Sequence, residues 1–104
     1  MLKAFRCKHT EKVFLRGPVS KFSQDICRKA LRKLLIIDAA EQLSDLRGPP
    51  GNDLPRSKHL RGNQLEKLSG NRHGQYSIRI NEQWRICFRW EDGDAFDIEI
   101  VDYH

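Results

Sequence analysis

The chain has 104 residues and a net charge of +5, with 38% apolar and 32% charged residues. This length predicts one domain, residues 1–104, that buries roughly 60 to 70% of the surface of its unfolded chain. The three cysteines are widely spaced and form no Cys-x-x-Cys pair, which argues against a disulfide framework and a structural zinc site.

No apolar run reaches the roughly 18 residues of a membrane span, and the first residues lack the apolar stretch of a signal peptide. Unpaired cysteines are typical of a reducing compartment. We therefore expect a soluble, unprocessed, cytoplasmic protein without a membrane partner.

Positive charge is concentrated in the first part of the chain. Residues 1–74 carry 16 Lys or Arg against 7 Asp or Glu, whereas residues 75–104 carry 3 against 7. A basic excess favours a polyanionic partner, although it is equally compatible with a role in solubility alone. The acidic excess near the end predicts that Asp97 and Glu99 pair with arginines across a sheet.

Two helices are predicted in the first half. Residues 2–6 are compatible with a short strand, and residues 10–16 with a helix of about two turns closed by Gly17-Pro18. A longer helix is predicted after Ser23, a favourable N-cap residue. Residues 39–46 are expected to finish or extend this helical hairpin. One stripe of the longer helix can pack on a sheet, through Ile26, Ala30, Leu34 and Ile37.

The other side of the longer helix is basic. On composition alone a solvated helix face is the commoner meaning of such a pattern, and an RNA-binding surface is the alternative. The residues concerned are Arg28, Lys29, Arg32 and Lys33.

Residues 47–62 are rich in Pro, Gly and positive charge and show no periodicity. They predict a flexible basic loop, which either orders on an anionic partner or is a tolerated surface insertion. Residues 65–68 then predict a short strand, and residues 69–74 a turn whose glycines let the backbone reverse.

The last thirty residues alternate between apolar and polar positions, which predicts three consecutive strands. Polar breaks at 81–83 and 92–94 are typical of hairpins, so an antiparallel meander is expected. One face is apolar, with Tyr76, Ile78, Ile80, Trp84, Ile86, Phe88, Trp90, Phe96, Ile98 and Ile100. The other carries Ser77, Arg79, Arg85, Cys87, Arg89, Asp97, Glu99 and Val101.

The chain ends in Asp102, Tyr103 and His104, at the tip of the third strand. A phenol and an imidazole are proton-transfer groups, and arginines on the neighbouring strands bind phosphate. This combination is typical of chemistry on a phosphodiester. A terminal histidine is also often a frayed surface group, and Arg85 is also compatible with one end of a cross-strand ion pair.

The order of elements and several separated motifs resemble the RelE/ParE superfamily of toxins, and the HigB branch in particular. The matching segments are residues 38–40, 45–47, 65–72, 74–81, 83–90 and 101–104. The resemblance implies an α+β, RelE-like fold in which an N-terminal short strand and a two-helix hairpin pack on a C-terminal antiparallel β-meander.

The same resemblance implies an activity and its partners. HigB-type toxins are ribosome-dependent mRNA endoribonucleases that cleave without a metal through attack of the ribose 2′-OH. The expected partners are therefore the 70S ribosome, mRNA and a HigA antitoxin, a helix-turn-helix protein through which the complex would bind operator DNA. No cofactor and no metal are expected.

Catalytic roles follow from the resemblance position by position. Arg85 falls on the active-site arginine of the family and would brace the phosphorane. Tyr103 and His104 would move protons or orient the phosphate, and Asp102 would orient His104 or bind a base edge. We expect neither Arg85 nor His104 to fill the core.

The chain departs from the family at Glu66 and Ser69, where some HigB-type toxins carry a histidine and a lysine. Glu66 is expected either to act as a general base or to pair with an arginine, and His59 or His73 are alternative sources of an imidazole. Lys67 would lie on the strand face opposite to Glu66. The RNA-binding residues expected are Lys67, Arg72, Arg79, Arg89, Arg28, Lys29, Arg32 and Lys33.

Two other functions remain open on sequence grounds. One is a ParE-like toxin that inhibits DNA gyrase without cutting nucleic acid, and the other is a nucleic-acid-binding module without catalysis. The Tyr-His ending beside Arg85 favours the nuclease, since a gyrase-directed relative has no need of it.

Overall fold

The computed structural model describes residues 1–47 and 65–102. Four strands form one antiparallel sheet in the order β1-β2-β3-β4, which together with two helices confirms the α+β prediction. The elements are α1 (Lys8–Phe14), α2 (Gln24–Ala39), a 3₁₀ helix (Leu43–Arg47), β1 (Glu66–Lys67), a second 3₁₀ helix (Gly70–Arg72), β2 (Gln75–Arg79), β3 (Trp84–Glu91) and β4 (Asp94–Asp102). The predicted loop beyond Arg47, together with His59, Tyr103 and His104, lies outside the described residues.

Helix α2 begins as predicted. The Ser23 hydroxyl accepts a hydrogen bond from the Ile26 backbone N–H at 3.2 Å, which satisfies one of the unpaired donors of the first turn. The helix ends at Ala39 because Ala40 is extended. Of the two alternatives expected for residues 39–46, the structure shows the end of the hairpin and not its extension, and a 3₁₀ helix follows at Leu43–Arg47. The Asp45 carboxylate accepts the backbone N–H groups of Glu41 and Gln42, each at 3.0 Å.

The N-terminal segment lies beside β4 but is not a regular strand, which corrects the prediction for residues 2–6. It makes two isolated parallel bridges, Leu2 with Ala95 and Phe5 with Ile98. Four backbone hydrogen bonds of 2.9 to 3.1 Å join the segment to Ala95 and Ile98. The segment thereby covers the outer edge of β4, which would otherwise expose unpaired donors and acceptors.

Helix α1 continues this cover from its first turns. Its residue Thr10 is fully buried, and the Thr10 hydroxyl accepts a hydrogen bond from the Ile100 backbone N–H at 2.9 Å. The helix spans Lys8–Phe14, two residues earlier than predicted, and Arg16 beyond it has a positive φ of 61°. The Thr10 side chain thus satisfies a backbone donor at the outer edge of β4, 90 residues away along the chain.

One face of the sheet forms the core. Its apolar side chains pack against the stripe of α2, as the helical spacing predicted. The residues of this cluster that come from α2 are Ile26, Ala30, Leu34 and Ile37, and those from the sheet include Ile78, Ile86, Phe88, Ile98 and Ile100. None of the helices in the described ranges is long and apolar enough to cross a membrane.

The β3-β4 hairpin is tight, because Glu91 pairs with Asp94 and both turn residues have positive φ, 51° at Asp92 and 83° at Gly93. Such a turn matches the twist of the strands that it joins. Further along, the register slips by one residue, since Cys87 pairs with Glu99 but Arg89 pairs with Phe96.

This β-bulge changes the side of the sheet on which Phe96 lies. The bulge is centred on Asp97, whose φ is 53°, and it reverses the alternation for the residues before it. Phe96 therefore shares a face with Arg89, and the prediction that it lies with Ile98 and Ile100 on the apolar face is wrong. Ala95 takes the core position instead and is fully buried.

We predict that Thr10→Val destabilises the fold by about 1 to 3 kcal/mol, because the Ile100 N–H loses its acceptor while remaining buried. Urea unfolding measures the loss, and hydrogen exchange of the Ile100 amide locates it. Thr10→Ser is the control, because it keeps the hydroxyl and should keep that amide protected. A Thr10→Val protein with an equally protected Ile100 amide would contradict the assigned role.

Candidate active site on the polar face of the sheet

The sheet face opposite the core carries two of the side chains predicted to be catalytic, Glu66 and Arg85. Strand register arranges the side chains of this face in three rows that cross the sheet. The middle row is Glu66, Ser77, Cys87 and Glu99. The rows on either side are Arg79, Arg85 and Val101, and Gln75, Arg89 and Phe96. We call this surface the polar face.

Arg85 lies at the centre of the polar face. Its Nε donates to the Ser77 hydroxyl at 2.8 Å, and its Nη2 approaches the Ser77 carbonyl oxygen at 3.5 Å. The side chain does not enter the hydrophobic core, as expected, yet only 8% of it is exposed. A guanidinium so buried requires fixed acceptors, and Ser77 supplies two of them. The orientation of Arg85 is thus set by its neighbour on β2.

Arg79 stands directly opposite Arg85 on the adjacent strand. Facing residues of an antiparallel pair have Cβ atoms roughly 4.5 to 5.5 Å apart, and like charges at such positions repel. The Arg79 side chain makes no hydrogen bond or ion pair with residues 1–47 or 65–102. Two arginines at facing positions, one of them without a side-chain partner among the described residues, can bind an anion together.

Glu66 is the carboxylate of this site. Its Oε1 lies 3.9 Å from Nη2 of Arg85, and its side chain is 54% exposed. The structure therefore brings Glu66 and Arg85 together, as either expected role of Glu66 requires. One carboxylate against two guanidinium groups leaves this part of the polar face positive.

The other predicted RNA-binding arginines of the polar face are paired with carboxylates. Arg72 lies 2.7 Å from Glu99, and Arg89 lies 3.3 Å from Asp97 and also pairs with Glu91. These pairs confirm that Asp97 and Glu99 bind arginines. The hydrogen bonds that Arg89 donates to Asp97 and Glu91 raise its pKa. Both cations are largely neutralised, whereas no carboxylate of the described residues pairs with Arg79.

Cys87 lies in the middle row and is fully buried. Burial raises the pKa of its thiol, Arg72 and Arg85 lower it, and Glu99 raises it further, with a net increase. The thiol is therefore protonated at neutral pH and is not a nucleophile for this site.

Two predicted residues lie apart from Arg85. Lys67 pairs with Tyr76 and occupies the face opposite to Glu66, which confirms the alternation expected for β1. Asp102 pairs with Trp84 on the side opposite to Arg85, and its carboxylate accepts a hydrogen bond from Gln83 Nε2 at 3.2 Å. Tyr103 and His104 directly follow Asp102 and lie outside the described residues.

The basic side of α2 lies on the far side of the molecule, because α2 packs on the core face of the sheet. Arg28, Lys29 and Arg32 are exposed. Arg28 and Lys29 share the carboxylate of Asp25, each at 3.4 Å. Lys33 is partly buried, and burial together with the charge of Arg32 lowers its pKa. These cations form a second basic surface, separated from Arg85 by the sheet and the core.

The same side of the molecule carries an open cleft of about 620 Å³ between α1, the loop that follows it and α2. Val13, Val19 and Leu31 contribute its apolar wall, and Arg16 and Arg28 lie at its rim. The cleft is therefore remote from the polar face. Within the described ranges, no group of three or more His, Cys, Asp or Glu side chains is placed to hold a metal ion.

Two residues of the polar face, Ser77 and Phe96, were not among the site residues predicted from the sequence. Ser77 was assigned to the correct face, but its bond to Arg85 depends on the register between β2 and β3. Phe96 was assigned to the core, because alternation without a bulge places it there. The change of face at Phe96 is caused by the positive φ of Asp97. This conformation is uncommon for a non-glycine residue, and the residue types in the sequence do not predict it.

Known proteins resemble this chain in sequence. A family model described as the RelE-like toxin of type II toxin-antitoxin system HigB matches residues 57–104. Toxin HigB-1 of Vibrio cholerae serotype O1 is 47% identical over 66 residues, which cover 64% of this chain and 58% of that protein. Endoribonuclease HigB of Proteus vulgaris is 28% identical over 104 residues, the full length of both chains. The matched segment thus spans less than two thirds of the Vibrio protein.

Solved structures resemble the fold. The chain superposes on one chain of the YoeB-YefM toxin-antitoxin complex of Staphylococcus aureus with a TM-score of 0.54 and 22% identity. The superposition covers 100% of this chain and 95% of the other. A YoeB dimer of the same organism gives a TM-score of 0.53. At this identity the likeness shows the fold alone. Together with the sequence matches, it shows that the chain is similar to HigB-type, RelE-like toxins, most clearly over residues 57–104.

Proposed function

We propose that this protein is a toxin that cleaves messenger RNA on the translating ribosome, and that the polar face is its active site. The observation that carries the proposal is the pair of guanidinium groups, Arg79 and Arg85, with the Glu66 carboxylate 3.9 Å from Arg85. The name of the Proteus vulgaris relative, Endoribonuclease HigB, supports the reaction type.

The reaction follows from the charges at the site. Glu66 accepts the proton of a ribose 2′-OH, whose oxygen attacks the adjacent phosphorus. Negative charge then grows on the phosphorane oxygens, where the two guanidinium groups stabilise it. The bond from phosphorus to the 5′ oxygen breaks, leaving a 2′,3′-cyclic phosphate and a 5′-hydroxyl. We assign the proton for this leaving oxygen to Tyr103 or His104, which follow the end of β4.

The basic side of α2 supports the ribosome as the place of cleavage. Arg28, Lys29, Arg32 and Lys33 lie on the far side of the core from Arg85, so one surface binds ribosomal RNA while the other receives the message. This arrangement predicts poor cleavage of naked RNA. Asp102 remains a candidate for orienting His104, although its strand position faces away from Arg85.

Similarity to toxins of type II toxin–antitoxin systems supports an antitoxin as partner. We propose a helix-turn-helix protein of the HigA type, through which the complex binds operator DNA, and a cytoplasmic setting where ribosomes are available. The fold alone does not select among targets of the superfamily. The paired arginines favour a nuclease over a gyrase inhibitor, because a protein target has no need of an anion site on the polar face.

The function is tested by adding purified protein to a cell-free translation reaction and mapping message ends by primer extension. Codon-phased ends that depend on ribosomes are expected from the wild type. Intact message together with inhibited DNA supercoiling would contradict the proposal and support the gyrase target.

Arg85→Lys should lower cleavage by about 10²- to 10³-fold, because an ammonium keeps the charge but loses the planar fork that contacts two oxygens. Arg6→Lys is the matched control, because the Arg6 side chain is exposed and makes only a long ion pair, with its Nε 4.0 Å from Glu99. Circular dichroism confirms that both variants fold. Equal cleavage by Arg85→Lys and the wild type would rule out Arg85 as the phosphate ligand.

Ser77→Ala should reduce kcat with little change in KM, because Arg85 loses the acceptor that fixes its Nε–H. A double-mutant cycle with Arg85→Lys tests whether the Ser77 hydroxyl acts by positioning Arg85 or only by stabilising the fold. Once Arg85 is replaced, removing the hydroxyl should cost no further activity. Additive losses in the double mutant would show that Ser77 does not act through Arg85.

Arg79→Gln should weaken cleavage but raise the free energy of unfolding by roughly 0.2 to 1 kcal/mol at low ionic strength, because it removes a like charge facing Arg85. The gain should shrink as salt screens the repulsion. Lys67→Gln makes the same change of charge on the other face, opposite Tyr76, and should give no such gain. Loss of stability in Arg79→Gln would contradict the repulsion between the two arginines.

A further inference from the structure

The bulge at Asp97 exposes an aromatic ring at one end of the polar face. Without it, Phe96 would join Ile98 in the core. With it, Phe96 is partly exposed and lies outside the hydrophobic core cluster. Bulges beside active sites commonly redirect one side chain in this way.

A guanidinium group lies over the face of this ring. The Arg89 guanidinium carbon lies 4.9 Å from the centre of the Phe96 ring, within the range of a cation–π contact. Asp97 and Glu91 hold Arg89 in position, and 41% of the Arg89 side chain is exposed. The platform therefore consists of a ring and a planar cation, both fixed by strand residues.

The charge of this platform differs from that of the Arg79 and Arg85 pair. Arg89 is opposed by two carboxylates, so the local net charge is negative and a phosphate is disfavoured. An uncharged flat group suits the platform better, and every nucleobase offers such a face.

The distance between the two places suits one RNA strand. Arg85 and Arg89 lie on the same face of β3, four residues apart, which corresponds to about 13 Å along an extended strand. The phosphate site and the platform thus lie along one line on the polar face, a few nucleotides apart at most.

We propose that Phe96 and Arg89 form a stacking subsite for a base of the message near the scissile phosphate. This inference rests on the proposed nuclease function and adds a specificity-determining contact to it. The base stacks on the exposed side of the Arg89 guanidinium, which the Phe96 ring supports from beneath, and this places the backbone across Arg79 and Arg85. Stacking tolerates different bases, so the subsite orients the message more than it reads its sequence.

The test compares cleavage of ribosome-bound message by Phe96→Leu and Phe96→Trp. Loss of one stacked base is worth about 1 to 3 kcal/mol, so kcat/KM should fall roughly 5- to 150-fold in Phe96→Leu. Phe96→Trp keeps an aromatic face and should stay within about threefold of the wild type. Phe14→Leu is the matched control, because Phe14 packs on the core instead of the polar face and should cleave as the wild type does.

A second readout detects the stacking itself. A message with a 2′-deoxy nucleotide at the cleaved position carries 2-aminopurine at single positions around it. Binding of the wild type to the programmed ribosome should quench one position, Phe96→Leu should abolish that quenching, and Phe96→Trp should restore it.

The outcomes separate this inference from the function on which it rests. A wild type that leaves ribosome-bound message intact would overturn the nuclease and the subsite together. A wild type that cuts, with equal cutting and quenching by Phe96→Leu, would overturn the subsite alone. Selective loss in Phe96→Leu with recovery in Phe96→Trp would establish it.

Discussion

The hydrogen bond from Arg85 to the Ser77 hydroxyl is the interaction on which the polar face depends. A guanidinium with only 8% of its side chain exposed carries a desolvation cost of several kcal/mol unless its donors are satisfied. The hydroxyl at 2.8 Å, the Ser77 carbonyl oxygen at 3.5 Å and Glu66 meet that need. The register between β2 and β3 sets all of this geometry, because it makes Ser77 and Cys87, and Arg79 and Arg85, direct neighbours.

That register is stable because the opposite face of the same strands forms the core. Slipping by one residue would turn Ile78, Ile86 and Phe88 toward solvent and Arg85 into the core. The outer edge of β4 is protected in turn by the N-terminal segment and by Thr10. Packing and the geometry of the candidate site are therefore two consequences of one alternation. The repulsion expected between the facing residues Arg79 and Arg85 is a local cost that this framework tolerates.

Much of the architecture could be predicted because its causes are local. The Ser23 cap, the stripe of α2 and the Asp-Gly turn each depend on residues close together in sequence. Three features could not be predicted in this way. The positive φ of Asp97 moves Phe96 to the polar face, the parallel pairing of Leu2 and Phe5 joins distant segments, and Arg85 is buried because of neighbours on other strands. Each depends on tertiary register, which periodicity does not contain.

Charge is divided between two sides of the molecule. The positive site on the polar face is small and is built from strand residues with one carboxylate, whereas α2 offers a broader basic surface across the core. The proposed function, which includes binding a large RNA and cutting a message, would use surfaces of both kinds. Cations paired with carboxylates, such as Arg72 and Arg89, attract phosphate less and fix local geometry more.

Arginine side-chain NMR tests the location of the active site most directly. Protein labelled with ¹⁵N would be titrated at low ionic strength with a short RNA that carries a 2′-deoxy nucleotide at the cleavage position. We predict saturable shifts of the Nε–H resonances of Arg79 and Arg85 and of the Ser77 amide. Shifts confined to residues of α2, with these three resonances unchanged at saturation, would contradict the assignment of the polar face as the site of cleavage.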